Sequence, residues 1–243
     1  MAEHDFLLPF LLERSAIRGR LVRLSDSVTK IINQHKYPQA VGNVLGQAVA
    51  LAANLGMALK YEGVFTLQIK GKGAVDLLVA DVTSEGALRS YARFDEARLG
   101  DEGSVLGEGT LVFTVDQIET NERYQGIVQL AQGEGLCAAL QTYFKKSEQI
   151  PTGILVAARR AANGAWEAAS LILQRMPREG GANAPDDTSI EDDWLRSMCL
   201  LQSCTQAELL DSSLPAEDLL FRLFHEEGVR IFDKKYFRHE CRC

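Results

Sequence analysis

Two cysteines one residue apart, Cys241 and Cys243, are the first candidates for chemistry. A thiol is a nucleophile or a metal ligand only as the thiolate, and neighbouring cations favour that form. Arg238, Arg242 and a protonated His239 are therefore expected to make both thiols targets for oxidants. Two thiolates are also half of the ligands that a structural zinc ion needs. The pair alone leaves two interpretations open: two exposed thiols on a frayed tail, or half of a four-thiolate zinc site.

The other three cysteines offer weaker signals. Cys137 lies among apolar residues of a predicted helix and is expected to be a small buried side chain, although a thiol-dependent enzyme using Cys137 or the tail pair is the alternative function. Cys199 and Cys204 are predicted to pack in a core, with redox activity as the other possibility. Five cysteines without regular spacing do not fit a secreted disulfide framework, so a reducing cytoplasm is expected.

Charge is distributed unevenly along the chain. The net charge is −7, which argues against a general nucleic-acid or membrane-surface binder, because such proteins need a basic face. Residues 186–227 contain 11 acidic and two basic residues, so this stretch alone carries −9. That contrast predicts a separate unit in the C-terminal part of the chain.

An uncharged segment over residues 38–59 is predicted to be the structural centre. Its apolar residues cover nearly every face of a helix, which is typical of a helix buried on all sides. Gly42 and Gly46 would let neighbouring elements approach its backbone closely. The segment is long enough to span a bilayer, but it contains four Asn and Gln residues, so a buried helix is predicted and no membrane association is expected.

Alternating apolar and polar residues predict strands around this helix. Residues 6–12 are expected to form a short helix, and residues 15–24 a strand with an outer basic edge of Arg18, Arg20 and Arg23. Ser25 or Ser27 is expected to cap the helix that follows. A further helix is predicted over 136–147, and further strands over 64–70, 75–82, 87–94, 111–115, 125–130, 154–159 and 166–174.

The C-terminal part reads differently. Residues 178–189 have the composition of a linker. Helical periodicity returns over 190–203 and 217–225, with Thr205 capping a short helix between them and a possible strand over 229–232. The helix containing Leu219, Leu220 and Phe224 is more apolar than a solvated helix requires, so it is expected to rest on something. An ordinary small core explains it equally well.

Several stretches along the whole chain resemble one family, the bacterial redox-regulated thirty-three-kilodalton heat-shock chaperonins. The resemblance runs from His4 to Cys243 and is more specific than the cysteine pair. Its most specific stretches are Ala16-Ile17-Arg18-Gly19, Tyr37-Pro38-Gln39, Glu122-Arg123-Tyr124-Gln125-Gly126, the ten residues 143–152, Leu173-Gln174-Arg175-Met176-Pro177 and Phe224-His225-Glu226-Glu227-Gly228-Val229.

The resemblance implies an α+β fold in which β-sheets pack around a buried central helix, followed by a small all-helical linker domain. The domains would be a chaperone core over 1–177, a linker over 178–187, a helical linker domain over 188–240 and, at 241–243, the stub of a zinc-binding redox-switch domain. Cys241 and Cys243 match the first of two cysteine pairs of the family. The second pair is absent from this sequence, so a truncated form is expected.

The function that the resemblance implies is that of a holdase, a chaperone that binds unfolding proteins without ATP and is not an enzyme. In the family, reduced thiolates hold zinc, and oxidation to disulfides releases the metal and uncovers apolar surface. Cys241 and Cys243 would be a redox-active pair and two of four zinc ligands. With that set incomplete, little or no zinc binding and activity without an oxidant are expected. Unfolded client proteins and a second copy of the chain, in a homodimer, are the expected partners.

Overall fold

The structure is a computed structural model that describes residues 4–59, 61–100, 105–118, 120, 122–176 and 187–241, with the backbone alone for 187–189. Its helices are α1 (Asp26–Asn33), α2 (Gln39–Gly56), α3 (Leu136–Lys146), α4 (Asp187–Gln202), α5 (Gln206–Leu209) and α6 (Ala216–Phe224). Its strands are β1 (Phe6–Leu12), β2 (Ile17–Leu24), β3 (Gly63–Gly71), β4 (Val75–Thr83), β5 (Ala87–Phe94), β6 (Gly109–Gln117), β7 (Arg123–Leu130), β8 (Thr152–Arg160), β9 (Trp166–Arg175), β10 (Val229–Ile231), β11 (Lys235–Tyr236) and β12 (Arg238–His239).

The described strands form two six-stranded sheets. The first has the order β10-β1-β2-β9-β8, with β11 also paired to β1, and all its pairs are antiparallel. The second has the order β12-β5-β4-β3-β6-β7 and is antiparallel except where β12 joins β5. We call them the first and the second sheet. The alternation of apolar and polar residues thus predicted most of the strands at nearly their observed bounds.

Helix α2 lies between the two sheets, in contact with β2, β8 and β9 of the first and β3, β4 and β5 of the second. Most of its residues are buried, which confirms the α+β prediction of a buried central helix. A Cβ atom added at Gly42 would lie 2.4 Å from the Trp166 ring, and one at Gly46 would lie 2.9 Å from the Ala158 Cβ. Only glycine permits so close a contact between helix and sheet. None of the helices that the structure describes is both long and apolar enough to cross a membrane.

The predicted helix over residues 6–12 is wrong, because this stretch is strand β1. A short apolar run has no periodicity that separates a helix from a buried strand. Pro9 fits inside β1 because of where the neighbouring strands stop. β10 pairs with residues 10–12 and β11 with residues 6–7, so the missing N–H of Pro9 faces the gap between them, where its carbonyl accepts from the Phe232 N–H at 2.9 Å.

Two local predictions near β2 need correction. Ser25 occupies the N-cap position of α1 as predicted, but its side chain makes no capping bond. The buried Asp5 carboxylate instead accepts the backbone N–H groups of Ser25 and Ser27, both at 2.6 Å. The arginines of β2 do not form an outer basic edge. Arg20 points toward α2 and Arg23 toward the opposite face, because successive side chains of a strand alternate.

The segment after residue 187 begins as helices and ends as strands. α4, α5 and α6, which we call the helical cover, pack on the outer face of the first sheet. The family resemblance implied an all-helical domain over 188–240, whereas the residues themselves predicted helices over 190–203 and 217–225 and a possible strand over 229–232. Instead, residues 229–239 run back along both sheets: β10 and β11 join the first and β12 joins the second. β11 and β12 are only two residues long and mostly polar, so no alternation of apolar and polar residues marks them in the sequence.

Candidate functional site

The outer face of the first sheet is a continuous apolar surface. Its strands place every second side chain on this side, and the helical cover buries them. The sheet contributes Phe6, Leu8, Phe10, Leu12, Ile17, Leu21, Ala157, Ala169, Leu171 and Leu173. The cover contributes Leu201, Cys204, Leu209, Leu210, Ala216, Leu219, Leu220, Leu223 and Phe224. The Phe10 and Phe224 rings stack across the contact with centroids 5.9 Å apart. The apolar helix noted in the sequence therefore rests on this face.

One buried arginine of the sheet binds the helical cover through its backbone. Arg23 donates from Nε to the Leu209 carbonyl at 3.1 Å, from Nη2 to the Glu208 carbonyl at 3.1 Å and from Nη1 to the Leu214 carbonyl at 2.5 Å. Burial lowers the pKa of Arg23 from its ordinary value, while acidic residues including Asp211 oppose that shift. The guanidinium satisfies carbonyls at the end of α5 and in the loop before α6. It therefore holds the cover to the sheet by directional bonds as well as apolar contact.

Ion pairs join the helical cover internally and to the strands that follow it. The Glu227 side chain is 1% exposed and accepts from Arg196 Nε at 2.5 Å, and Asp193 also pairs with Arg196. These two carboxylates raise the pKa of Arg196. Lys234, in the stretch between β10 and β11, pairs with Glu217 of α6 at 2.7 Å. Thus α4 and α6 are tied to the segment that leads to the cysteines.

The cysteine tail follows β12 directly. His239 Nδ1 lies 3.2 Å from the Leu88 carbonyl, and its Nε2 lies 2.9 Å from Gln34 Nε2. A neutral ring that donates from Nδ1 and accepts at Nε2 satisfies both contacts. Arg238 pairs with Glu240 at 3.0 Å and Glu85 at 3.5 Å. Arg238 and His239, two of the three cationic side chains predicted beside the thiols, are therefore engaged by carboxylates and neutral partners, which the sequence around the cysteines did not indicate.

The predicted redox pair is only half within the described residues. Cys241 is exposed and lines a cleft of about 600 Å³ together with His239, His35 and Tyr91. Cys243 and Arg242 lie outside the described residues, so the pairing of the two thiols stays a prediction. Within residues 4–241, with the gaps given above, no three or more His, Cys, Asp or Glu residues are grouped to hold a metal ion. The described residues therefore contain no complete metal site, and zinc binding by the tail stays a prediction.

The remaining cysteines lie on other elements: Cys137 on α3, Cys199 on α4 and Cys204 just after α4. Burial raises the pKa of the Cys137 thiol to about 11, so at neutral pH it is protonated and a poor nucleophile. Cys204 is buried under the helical cover, and desolvation raises its pKa as well. Cys199 is exposed on α4, and neither it nor Cys204 forms a disulfide. The predicted core packing is thus confirmed for Cys204 and, with partial burial, for Cys137, but it is wrong for Cys199.

Comparison with known proteins decides the family. A family model described as Hsp33 protein matches residues 5–243. The chain belongs to the Hsp33 family. The resemblance inferred from short stretches of sequence is thereby confirmed over nearly the whole chain.

Relatives in the Hsp33 family carry the name 33 kDa chaperonin. One from Caulobacter vibrioides is 37% identical over 251 residues, covering 98% of this chain and 81% of the relative. One from Escherichia coli is 34% identical over 245 residues, covering all of this chain and 80% of the relative. The crystal structure of the 33 kDa chaperonin from Thermotoga maritima has a TM-score of 0.80 at 23% identity and covers 99% of this chain and 81% of that one. At that identity the structural match confirms the fold alone.

Proposed function

We propose that the protein is a redox-regulated chaperone that binds unfolding proteins and prevents their aggregation without ATP. The observation that carries the proposal is the apolar outer face of the first sheet beneath an acidic helical cover. Soluble proteins rarely expose a large contiguous apolar surface to solvent, and where one is exposed it commonly marks an interaction site. Names of relatives in the Hsp33 family point to the same class of function. No chemical turnover is required.

The proposed action is an undocking of the helical cover. When α4, α5 and α6 leave the sheet, Phe10, Leu171 and their neighbours become accessible to apolar segments of a client. The cover's own face, including Leu220 and Phe224, becomes accessible at the same time. The fraction of undocked molecules then sets the apparent affinity for clients. The same fraction sets how strongly the protein suppresses aggregation without an oxidant. Such oxidant-independent activity is the one that the incomplete set of cysteines led us to expect.

The proposed sensor is the thiol pair Cys241 and Cys243. Hydrogen peroxide would oxidise one thiolate to a sulfenic acid, releasing hydroxide, and the second thiol would displace water from it to form the disulfide. Two thiols are thereby oxidised and one peroxide is reduced to two waters. Strand β12 ends two residues before Cys241, and β10 and β11 lie between α6 and β12. A change at the tail that loosens this strand run would weaken the docking of the cover.

Zinc binding stays a prediction. The family resemblance assigns Cys241 and Cys243 as two of four ligands, and a closed structural site needs all four. We expect a chain of these 243 residues to hold less than one zinc ion per molecule. Elemental analysis of protein purified under reducing conditions measures this directly. One tightly bound zinc per chain would contradict it.

The redox proposal is tested by aggregation of a thermally unfolding test protein. We expect hydrogen peroxide to increase the suppression of aggregation by the wild-type chain, and Cys241→Ser to remove that increase. Cys137→Ala is the matched control for the alternative of a thiol-dependent enzyme, and it should leave the suppression intact. An oxidant response that survives Cys241→Ser would contradict the proposed sensor. Loss of suppression in Cys137→Ala would favour the alternative.

We also propose that the active form is a homodimer and that the protein works in the reducing cytoplasm. A dimer would offer clients the uncovered apolar faces of two chains instead of those of one chain. Light scattering after size-exclusion chromatography, with and without oxidant, measures the mass of the active form. A monomer at concentrations where aggregation is suppressed would rule out the dimer.

A further inference from the structure

A second cavity, remote from the cysteine tail, opens between the two sheets. Its volume is about 250 Å³. It lies beyond the C-terminal end of α2, between β2 of the first sheet and β6 and β7 of the second. The apolar part of its wall comes from the second sheet and from α2, α3 and the residues after α2, chiefly Leu55, Leu59, Phe65, Phe113, Val115 and Phe144. Neither the helical cover nor the proposed redox tail lines it.

Two arginines of β2 line this cavity. Arg20 is partly buried, and its side chain donates to two neutral amides, from Nε to Asn54 at 2.9 Å and from Nη2 to Gln174 at 2.8 Å. Arg18 lies two residues earlier on the same side of the strand. Among the residues that the structure describes, neither guanidinium makes an ion pair. Burial, and then the like charge of Arg18, lowers the pKa of Arg20 to about 10, at which it is still cationic at neutral pH.

Arg18 is exposed and Arg20 is partly buried, and a partly buried cation usually has a counter-ion nearby. The cavity does contain one carboxylate, Glu148, but it is directed to other partners. Its Oε1 accepts from the Tyr124 hydroxyl at 2.6 Å and from the Tyr143 hydroxyl at 2.5 Å. Glu148 keeps its negative charge, because both of these donors are neutral, but it forms no ion pair with Arg18 or Arg20. Among the described residues, the two guanidinium groups therefore have no carboxylate partner of their own.

We propose that this cavity binds a small carboxylic acid with an unbranched apolar chain of medium length. The carboxylate would accept from the guanidinium groups of Arg18 and Arg20, and the chain would lie against Phe65, Phe113 and Phe144. Arginine suits this role because its planar group can donate two parallel hydrogen bonds to a carboxylate. The volume is below the range of about 300 to 1,000 Å³ that is typical for larger ligands, so a single chain of medium length is the fitting occupant.

Isothermal titration of the full chain with decanoate, below its micelle concentration, tests the proposal. We expect saturable binding of one decanoate per chain. Arg20→Gln and Arg18→Gln should each weaken it by about tenfold or more, because each removes a charge-assisted hydrogen bond. Arg18 is exposed, so its substitution keeps the test valid if Arg20→Gln fails to fold. The matched control is Arg160→Gln. Arg160 lies at the C-terminal end of β8, whereas the cavity lies near the start of that strand, at Ile150. This substitution should change the affinity for decanoate by less than about twofold.

Decyltrimethylammonium separates this site from general binding of amphiphiles to a chaperone. It carries the same apolar chain with the opposite charge, so we expect no saturable binding. Equal binding of both compounds, or decanoate binding unchanged in Arg18→Gln and Arg20→Gln, would overturn the proposal. Displacement of decanoate by a far lower concentration of a short apolar peptide with a free C-terminal carboxylate would also overturn it, in favour of a chain terminus as occupant.

Discussion

Helices cover both faces of the first sheet, but they are held there in different ways. On the inner face, α2 is uncharged, and glycines bring its backbone against the sheet. On the outer face, the helical cover is acidic and is held by a smaller apolar cluster, the bonds of Arg23 and a few ion pairs. The inner contact builds the core that the fold depends on. The outer contact is of a kind that can open while that core persists, since regions with fewer buried contacts open at lower free energy.

The largest expected effect comes from the same substitution made on each side of the sheet. Leu45 of α2 and Leu220 of α6 are both fully buried. Leu45→Ala should lower the free energy of unfolding of the whole core by about 2 to 5 kcal/mol. Leu220→Ala should cost a similar amount but only in the docking of the cover. Thermal unfolding followed by circular dichroism, together with trypsin cleavage within residues 187–227, separates the two outcomes.

The proposed difference between the inner and outer contacts is contradicted if Leu45→Ala and Leu220→Ala both lower the midpoint of a single thermal unfolding transition. In that case the helical cover and the core would unfold as one cooperative unit. Faster trypsin cleavage of Leu220→Ala within residues 187–227, with the thermal transition of the core unchanged, would instead support that difference.

A smaller effect is expected for Arg23→Gln. The change removes three hydrogen bonds to the carbonyls of Glu208, Leu209 and Leu214 and leaves those acceptors near an uncharged side chain. We expect the docking of the cover to weaken by roughly 2 to 3 kcal/mol. Hydrogen exchange of the amides in α5 and α6 measures it. Arg160→Gln serves as the control, and equal protection in both variants would show that Arg23 does not hold the cover.

The smallest expected effect is a dependence on pH through Glu217. Burial by itself raises the pKa of this carboxyl, but the hydrogen bond and charge of Lys234 outweigh it, and the net pKa is lowered. The folded state therefore binds the proton less tightly than the unfolded state does. The pair stabilises docking above the ordinary glutamate pKa of about 4.3, and this is lost as the pH falls through the folded value.

Acidification from about pH 6 to about pH 3 should therefore weaken docking through this pair by at most about 1 kcal/mol. Glu208 and Asp211 also have lowered pKa values and contribute with the same sign. The difference between wild type and Glu217→Gln in hydrogen exchange of α6 isolates the contribution of Glu217. An identical pH dependence in both proteins would contradict the assignment.

The sequence predicted the inner half of this arrangement better than the outer half. The uncharged run of α2 and the alternation in β3 to β9 are local patterns, and they led to the correct α+β architecture. Strand β1 was missed because its residues are almost all apolar, so they show neither the alternation of a strand nor the spacing of a helix. β11 and β12 were missed because two-residue edge strands take their partners from distant parts of the chain, and only β10 was anticipated.

The candidate site depended even more on contacts distant in sequence. The apolar side of α6 indicated that something lies beneath it, but not that the outer face of the first sheet does. Arg23 was interpreted as part of a solvated edge, because its carbonyl partners are about 190 residues away. The surroundings of Cys241 were interpreted from its sequence neighbours, whereas Glu85 and Gln34 come from elsewhere in the fold and engage Arg238 and His239.

The central claim is that undocking the helical cover from the first sheet creates the client-binding surface. The most direct measurement is suppression of aggregation of a chemically unfolded test protein diluted into reducing buffer, at a temperature where all chains tested are folded. The account predicts that Leu220→Ala suppresses aggregation several-fold more strongly than wild type, while Leu45→Ala, destabilised to a similar degree in the core, shows no such gain. Equal suppression by wild type and Leu220→Ala, with the cover shown by trypsin to be released in the variant, would contradict it.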